Sequence, residues 1–195
     1  MYDARVVIVD PTPRAIQHFK AVMARMGQPR ASEYSNDGCQ PIESYDLSGL
    51  NSDQFSLVEA ALSDSNGFAK FFSPPNPSDV SYSLVNFQNN YSSTTTFIEV
   101  PTIDIATLVS QENLGQIAPA KFDVGGTEIQ VIPLMLAKGI FPDQILVEYD
   151  ELNFPSARSR TNFEDVNQLS KQSGYKTTWF DGRSCLSYQR SVSVE

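Results

Sequence analysis

The stretch Lys121–Gln130, KFDVGGTEIQ, joins an apolar strand pattern to an apolar helix pattern. The strand pattern, AKFDV, starts at Ala120, and the helix pattern runs from Thr127 to about Lys138. Two consecutive glycines between them allow positive φ angles or a close approach of the backbone to a ligand. The stretch therefore predicts a tight turn between a strand and a helix, with acidic residues on both sides of it.

The residue types around the glycines limit which kinds of functional site this turn can form. A phosphate-binding P-loop needs a lysine and a hydroxyl after its second glycine, and Thr127 and Glu128 do not supply that pair. A metal site built from Asp123 and Glu128 lacks a third clear ligand. Two interpretations remain, a catalytic edge built on the turn and a turn whose acid only caps the helix.

Strand and helix patterns alternate along the rest of the chain. The predicted strands are Arg5–Val9, Phe55–Asp64, GFAKFFS after the turn Asn66-Gly67, FIEV, AKFDV, DQILVEYDE, YKTTWF and CLSYQR. The predicted helices are Arg14–Met26, a short one in DIATLV, Thr127 to about Lys138, and about Asn162 to Ser173. Residues 30–52 are expected to form a loop with at most one short strand.

This alternation predicts an α/β fold with a mostly parallel sheet, in one domain that spans residues 1–195. The strand Arg5–Val9 is short and rich in β-branched residues, so we expect it to be buried on both faces. Asp181-Gly182-Arg183 separates the last two strand patterns and predicts an antiparallel hairpin at the end of the sheet. The stretch Ser73–Thr96, rich in proline, hydroxyl and amide residues, predicts a long surface loop.

Composition excludes several kinds of partner. The chain has 14 basic and 23 acidic residues, and the net charge of −9 would repel nucleic acid and an anionic membrane surface alike. No apolar run approaches the roughly 18 residues of a membrane span, and the N-terminal residues lack the pattern of a signal peptide. Cys39 and Cys185 fit no metal spacing, so free thiols in the cytoplasm are expected, with a disulfide as the alternative.

Asp10 stands where the first strand pattern ends. In an open α/β sheet ligands bind at the carboxyl ends of the strands, and an acid at such a position can accept hydrogen bonds from ribose hydroxyls. That role normally accompanies a glycine-rich turn about 20 residues earlier, and only nine residues, none of them glycine, precede Asp10. The alternative is a helix cap or an Asx turn before Pro11.

For several other residues, a purely structural role is the alternative to a functional one. Glu148 could be a strand-end acid paired with Arg158 or Arg160. His18 lies among helical residues and is expected to be structural rather than catalytic. Trp179 is expected in the core, and the arginines of SARSR, from Ser156, in a solvated loop.

Six ordered motifs resemble the FkbM family of S-adenosylmethionine-dependent methyltransferases. They are VDPTPRAI from Val9, AALSDSNG from Ala60, SYSLVN from Ser81, VPTIDIATL from Val100, KFDVGGTE from Lys121 and ILVEYDELNFPS from Ile145. The resemblance extends from Arg5 to about Gln189. It implies a Rossmann-like class I methyltransferase sheet and methyl transfer from S-adenosylmethionine to a hydroxyl oxygen of a sugar or small metabolite.

The resemblance also implies roles for individual residues. Asp10 and Pro11 would hold the ribose end of the cofactor, and Ala61 and Leu62 would line its adenine. Asp123 would face the methyl group and orient or deprotonate the acceptor hydroxyl. The remaining implied site residues are two supporting carboxylates, Glu128 and Glu148, and two substrate contacts, Ser81 and Ser83. No metal ion is expected.

The sequence departs from the family pattern in two ways, and alternatives to an active methyltransferase therefore remain. The chain begins at what would be the second strand, so the first strand and the glycine-rich cofactor loop are missing, and Gly125 stands in place of a family glutamate. A truncated or inactive enzyme is one alternative, and a non-catalytic binding module that keeps the fold is another. An NAD-dependent dehydrogenase would use the same ribose acid but leaves AALSD and the block at Lys121 unexplained. The acceptor and the oligomeric state are not indicated.

Overall fold

The computed structural model describes residues 4–35, 40–74, 76, 81–86, 96–153 and 155–191. It confirms an α/β protein whose strands pair in both parallel and antiparallel directions. The chain divides into two compact units, Met1–Ala60 and Ala61–Glu195. The single domain expected from the sequence stays a prediction, and the two units are described separately below.

The first unit contains one parallel strand pair and one helix. Strand β1, Val6–Val9, pairs in parallel with β2, Phe55–Val58. Helix α1, Pro13–Met23, begins after Thr12, whose hydroxyl accepts a hydrogen bond from the backbone N of Ala15, as is typical of an N-cap. Two short 3₁₀ helices, Ile42–Ser44 and Ser52–Gln54, lie between α1 and β2, and no strand forms in the described residues 40–52.

Burial of β1 on both faces was predicted and is wrong. Val6 and Ile8 remain 42% and 39% exposed. The reason is the size of the unit: its sheet has only two strands, and α1 contributes no buried residue. The β-branched run therefore forms the predicted strand, but the rest of the unit does not cover the side chains of Val6 and Ile8.

The second unit contains two sheets. In the first sheet, β3, Ala61–Ser63, pairs in parallel with β5, Phe97–Asp104, which also pairs antiparallel with β4, Gly67–Phe72. Helix α2, Ile105–Gln111, follows β5 directly. The Asp104 carboxylate accepts hydrogen bonds from the backbone N atoms of Ala106 and Thr107, which caps α2.

The second sheet has four strands in the order β6-β7-β9-β8. Its strands are β6, Pro119–Phe122, β7, Gln144–Glu148, β8, Tyr175–Phe180, and β9, Cys185–Arg190. Strands β6 and β7 are parallel, and β9 runs antiparallel to both β7 and β8. Strand β8 is therefore parallel to β6 and β7, and the predicted C-terminal antiparallel hairpin is confirmed.

Three helices belong to this second sheet: α3, Glu128–Ala137, α4, Asp150–Asn153, and α5, Ala157–Gln172. Helix α3 is apolar on nearly all sides, as expected of a helix enclosed by protein. The fully buried side chains of Val131, Ile132 and Met135 lie on it, and Ile145 and Tyr188 of the sheet are equally enclosed. Burying each large apolar side chain contributes about 1.5–3 kcal/mol.

Two predicted elements differ from the observed ones at their boundaries. The run Phe55–Asp64 is not one strand, because the backbone N of Ala60 donates to the carbonyl of Val58 at 2.8 Å and turns the chain at Glu59. Helix α5 begins before Asn162, because the hydroxyls of Ser156 and Ser159 form a reciprocal capping box. The run SARSR is therefore the start of a helix and not a solvated loop.

Trp179 was expected in the core, and this expectation is wrong. Strand β8 is an edge strand, and the side chains of Trp179 and Phe180 are 56% and 50% exposed. An alternating aromatic strand pattern indicates a strand, but it does not tell an edge strand from a central one.

The exposure of Trp179 can be tested by fluorescence, because it is the only tryptophan of the chain. We expect an emission maximum close to that of tryptophan in water and quenching by iodide nearly as efficient as that of free tryptophan. The control is the same measurement on the chain unfolded in urea. Blue-shifted emission that iodide quenches only after unfolding would contradict the position of β8.

Candidate functional site

The turn between β6 and α3 has the predicted geometry. Gly125 and Gly126 adopt φ angles of +69° and +91°, which side chains with a Cβ atom rarely adopt. Both glycines are buried. The two glycines are thus needed for the backbone path that returns the chain from the end of β6 into α3.

Contacts from two other segments hold this turn in place. The buried hydroxyl of Ser83 lies 2.5 Å from the carbonyl oxygen of Gly125, and it accepts a hydrogen bond from the backbone N of Val85. The Thr127 hydroxyl lies 3.3 Å from the carbonyl oxygen of Leu62 in β3. The turn therefore joins the end of β3, the segment at Ser83 and the start of α3.

Glu128 closes the turn from the helix side. Its Oε1 accepts a hydrogen bond from the backbone N of Val124 at 2.8 Å, whereas its Oε2 is buried without a hydrogen-bond partner. Burial raises the pKa of Glu128 to about 8, and the charges of Asp150 and Glu151 add to the effect. At neutral pH this carboxyl is therefore mostly protonated, and it stabilises the turn as a neutral group.

Asp123 lies on the surface instead of inside the turn. Its carboxylate is 2.9 Å from the Lys121 ammonium, and both side chains are more than half exposed. An ion pair of this kind contributes at most about 1 kcal/mol. Asp123 does not cap α3, because its only side-chain hydrogen bond among the described residues is with Lys121, and Thr127 occupies the N-cap position.

The end of β7 carries a second group of acids. The Asn153 side chain donates to Glu148 at 3.2 Å and to Asp150 at 3.4 Å, and its oxygen accepts a hydrogen bond from Arg183 Nε at 3.1 Å. Glu148 was expected to pair with Arg158 or Arg160, but no ion pair to either arginine occurs. The partner of Glu148 in the described chain is a neutral amide.

Glu151 and Tyr149 are the residues that sequence reasoning missed. Glu151 is 1% exposed, and both of its carboxylate oxygens are buried without a hydrogen-bond partner. Burial and the neighbouring Asp150 raise the pKa of Glu151 to about 7. The Tyr149 side chain is fully buried beside Tyr188, and its hydroxyl makes no hydrogen bond of normal geometry. The only sequence signal was the pair Asp150-Glu151 directly after a buried strand.

Strand register brings these two groups to one edge of the sheet. Phe122, the last residue of β6, lies opposite Val147 near the end of β7, so Glu128 and Glu151 both follow carboxyl ends of neighbouring parallel strands. Ligands bind at this edge in open α/β sheets. Within the described ranges, no group of three or more His, Cys, Asp or Glu side chains could hold a metal ion.

The first unit places Asp10 and Pro11 after β1, outside the unit that carries the other site residues. Asp10 Oδ1 accepts hydrogen bonds from the backbone N and the hydroxyl of Thr12, both at 2.8 Å, which is the Asx turn considered as an alternative. His18 contacts Tyr45, with its Nε2 3.4 Å from the tyrosine hydroxyl. The cofactor role of Asp10 stays a prediction.

The remaining expected site residues differ in how deeply they are buried. Ala61 and Leu62 are buried in and beside the core of the second unit, and Ser81 is exposed. Ser83 was expected on a surface loop, but it is fully buried because its hydroxyl serves the Gly125 turn. Cys185 is a free thiol, and Cys39 lies outside the described residues.

No family model, no curated protein and no solved structure matches this chain. Among the helices described here, none has the length and apolar character to cross a membrane.

Replacing Ser83 tests how strongly its hydroxyl holds the turn. We expect Ser83→Ala to lower the free energy of unfolding by about 1–3 kcal/mol, because it leaves the buried backbone N of Val85 without its acceptor. Urea denaturation measures this change. Ser110→Ala, at an exposed position on α2, is the matched control and should change stability by less than about 0.5 kcal/mol. Equal losses of unfolding free energy in the two variants would contradict the conclusion that the Ser83 hydroxyl holds the turn.

The raised pKa of Glu128 predicts how stability changes with pH. In the unfolded chain this carboxyl ionises near its ordinary pKa of 4.5, whereas in the folded chain it stays protonated up to about pH 8. Its contribution to stability is therefore complete below 4.5 and is lost as pH rises toward 8, at up to about 1.4 kcal/mol per pH unit.

Glu128→Gln should remove this contribution and make the fall of stability with pH less steep, by up to about 1.4 kcal/mol per pH unit, while the part that comes from Glu151 remains. Glutamine keeps the oxygen that accepts from Val124 and cannot ionise. Glu164→Gln, at an exposed position of α5, makes the same change in net charge and should keep the wild-type slope. If Glu128→Gln and Glu164→Gln both keep the wild-type dependence of unfolding free energy on pH, Glu128 ionises normally in the folded chain.

Proposed function

We propose that the chain is an S-adenosylmethionine-dependent O-methyltransferase of the FkbM type, or a truncated or inactive form of one, which acts on a hydroxyl of a sugar or small metabolite. The observation that supports the proposal best is the strand order β6-β7-β9-β8, in which the last strand of the chain is inserted antiparallel between two parallel strands. This is the C-terminal hairpin expected of a Rossmann-like class I methyltransferase sheet. The parallel pair of β1 and β2, with Asp10 at its carboxyl end, is consistent with the same sheet type.

The residues expected to hold the cofactor are compatible with that role. Both hydrogen bonds from Thr12 fall on Oδ1 of Asp10, so Oδ2 lies outside the Asx turn. A carboxylate oxygen is the acceptor that a ribose hydroxyl needs. Ala61 and Leu62 are apolar, as an adenine ring requires of its neighbours, and both side chains are buried. When bound, S-adenosylmethionine supplies an electrophilic methyl group on a positively charged sulfur.

The chain's own part in the reaction is to orient the acceptor and to take its proton. Bound S-adenosylmethionine would supply the methyl group to the acceptor oxygen, and its sulfur would keep the electron pair of the broken carbon–sulfur bond. The proton of the hydroxyl would pass to a carboxylate, for which Asp123 is accessible beside Lys121. Glu128 supports the turn beneath it, and Glu148 is held by Asn153.

A non-catalytic binding module is the second candidate, and one observation favours it. Two of the residues expected at the site are engaged in the fold: Ser83 holds the Gly125 carbonyl, and Glu128 holds the Val124 amide. A chain that kept these residues only for packing would show the same contacts. Binding of the cofactor separates the two candidates.

Titration calorimetry with S-adenosylmethionine, on this chain and on a version extended upstream in its own reading frame, tests the proposal. We expect binding by at least the extended version, and Asp10→Ala should weaken it by about 1.5–3 kcal/mol, as for a lost charge-assisted hydrogen bond. Asp123→Asn should leave the affinity unchanged, because the proposal assigns Asp123 to the acceptor.

The chain offers a matched control for Asp10. Asp46 forms the same type of turn, with Oδ1 accepting from the backbone N and the hydroxyl of Ser48, but it does not follow a strand. Asp46→Ala should not change the affinity. Absence of binding in both versions would favour the module, and equal losses from Asp10→Ala and Asp46→Ala would show that the turn, and not the ribose contact, matters.

A further inference from the structure

Helix α4 inserts a carboxyl group into the protein without giving it a hydrogen-bond partner. Glu151 is 1% exposed, and neither of its carboxylate oxygens has a partner in the described structure. Glu128, at the start of α3, has one oxygen in the same condition. A buried carboxylate without partners is costly, whereas the protonated acid is tolerated more easily. The two groups together therefore make the docked position of α4 depend on protons.

The groups that face this pair do not offset its charge. Those that titrate or carry charge are Asp150 on α4, Tyr149 directly after β7 and Tyr188 on β9, and Glu148 at the end of β7 is bound by Asn153. All of them are acids, so ionisation of Glu151 adds repulsion to desolvation. Helix α5 packs on both α3 and α4, and its buried residues, Ser159, Val166 and Ser170, are uncharged.

One positive group binds the end of α4 from the solvent side. Arg183, in the turn between β8 and β9, donates to the side-chain oxygen of Asn153, and it is exposed. It therefore binds the end of α4 without neutralising the buried carboxyls. Two backbone bonds complete the docking: Leu152 N donates to the Tyr149 carbonyl, and Tyr149 N donates to the Ser184 carbonyl.

We propose that α4 is a proton-dependent latch, which stays docked while the carboxyl group of Glu151 carries a proton and detaches when that group ionises. Detachment would bring Glu151 into water at the carboxyl edge of β6 and β7. The latch follows from the buried pair alone and does not depend on the proposed methyl transfer. Its working range is near neutral pH, because burial raises the pKa of Glu151 to about 7 and that of Glu128 to about 8.

The direction of the effect follows from proton linkage. In the detached state Glu151 ionises near 4.5, whereas in the docked state it keeps its proton to about pH 7. The equilibrium constant for detachment should therefore rise about tenfold per pH unit from roughly pH 5 to 7 and level off above about pH 8.

Hydrogen exchange of the backbone amides of residues 150–153, with the intrinsic pH dependence divided out, measures this constant. We expect the tenfold rise per pH unit in the wild-type chain and its loss in Glu151→Gln, which cannot ionise. Glu164→Gln, on the exposed side of α5, is the matched control and should keep the wild-type rise. Amides of β9 in the same samples should stay far better protected at every pH, because the proposed opening is local and they exchange only through larger openings.

Two outcomes would overturn the latch. One is exchange in α4 that keeps its pH dependence in Glu151→Gln. The other is equal protection of the α4 and β9 amides, which would mean that both exchange through global unfolding. If Glu151→Gln does not fold, carbon-13 NMR of the glutamate side-chain carboxyls in the wild-type chain replaces it. Two carboxyls titrating above about pH 6 would support the latch, and titration of every carboxyl near the ordinary value would refute it.

Discussion

The carboxyl group of Glu128 is the constraint around which the second unit is organised. It binds the backbone N of Val124 from inside the protein, and it does so at the only point where β6 can turn into α3. The two glycines with positive φ, the Ser83 hydroxyl and the Thr127 hydroxyl all serve the same turn. A polar group in an apolar surrounding is tolerated here because most of the turn's backbone groups find partners. The position of the apolar helix α3, and with it the core, follows from this arrangement.

The same arrangement explains why the edge of the sheet combines rigid and labile parts. Every polar contact of the β6–α3 turn is internal to the fold, so the turn gives a fixed platform beside the surface acid Asp123. The end of β7 is different, because α4 is only four residues long and carries a carboxyl that no neighbour binds. Functional segments are drawn from such regions of low local stability. The end of β6 is therefore the stable part of this edge, and the end of the neighbouring strand β7 is the part that can respond to pH.

Periodicity of apolar residues was enough to predict most of the elements, and it failed where a single local contact decided the outcome. Strands β6, β8 and β9 and helix α3 follow their sequence patterns closely, whereas the predicted strand DQILVEYDE ends at Glu148 and its last two residues belong to α4. The break at Glu59 depends on one backbone hydrogen bond, and the early start of α5 depends on a pair of serines. In the candidate site, the turn was predictable from its glycines. The burial of Glu151 and Ser83 was not, because it depends on contacts between segments distant in sequence.

The insertion of β9 between β7 and β8 has a consequence for how the chain is synthesised. Among the described strands, β8 pairs only with β9, although β8 comes first in the sequence. During translation β8 therefore leaves the ribosome with both of its edges open, and the four-stranded sheet cannot close until residues 185–190 have emerged as well. Nascent chains that stop short of β9 would expose an aromatic strand with free backbone groups, which is a template for aggregation. Quality control of this protein would thus act on nascent chains from which residues 185–190 have not yet emerged.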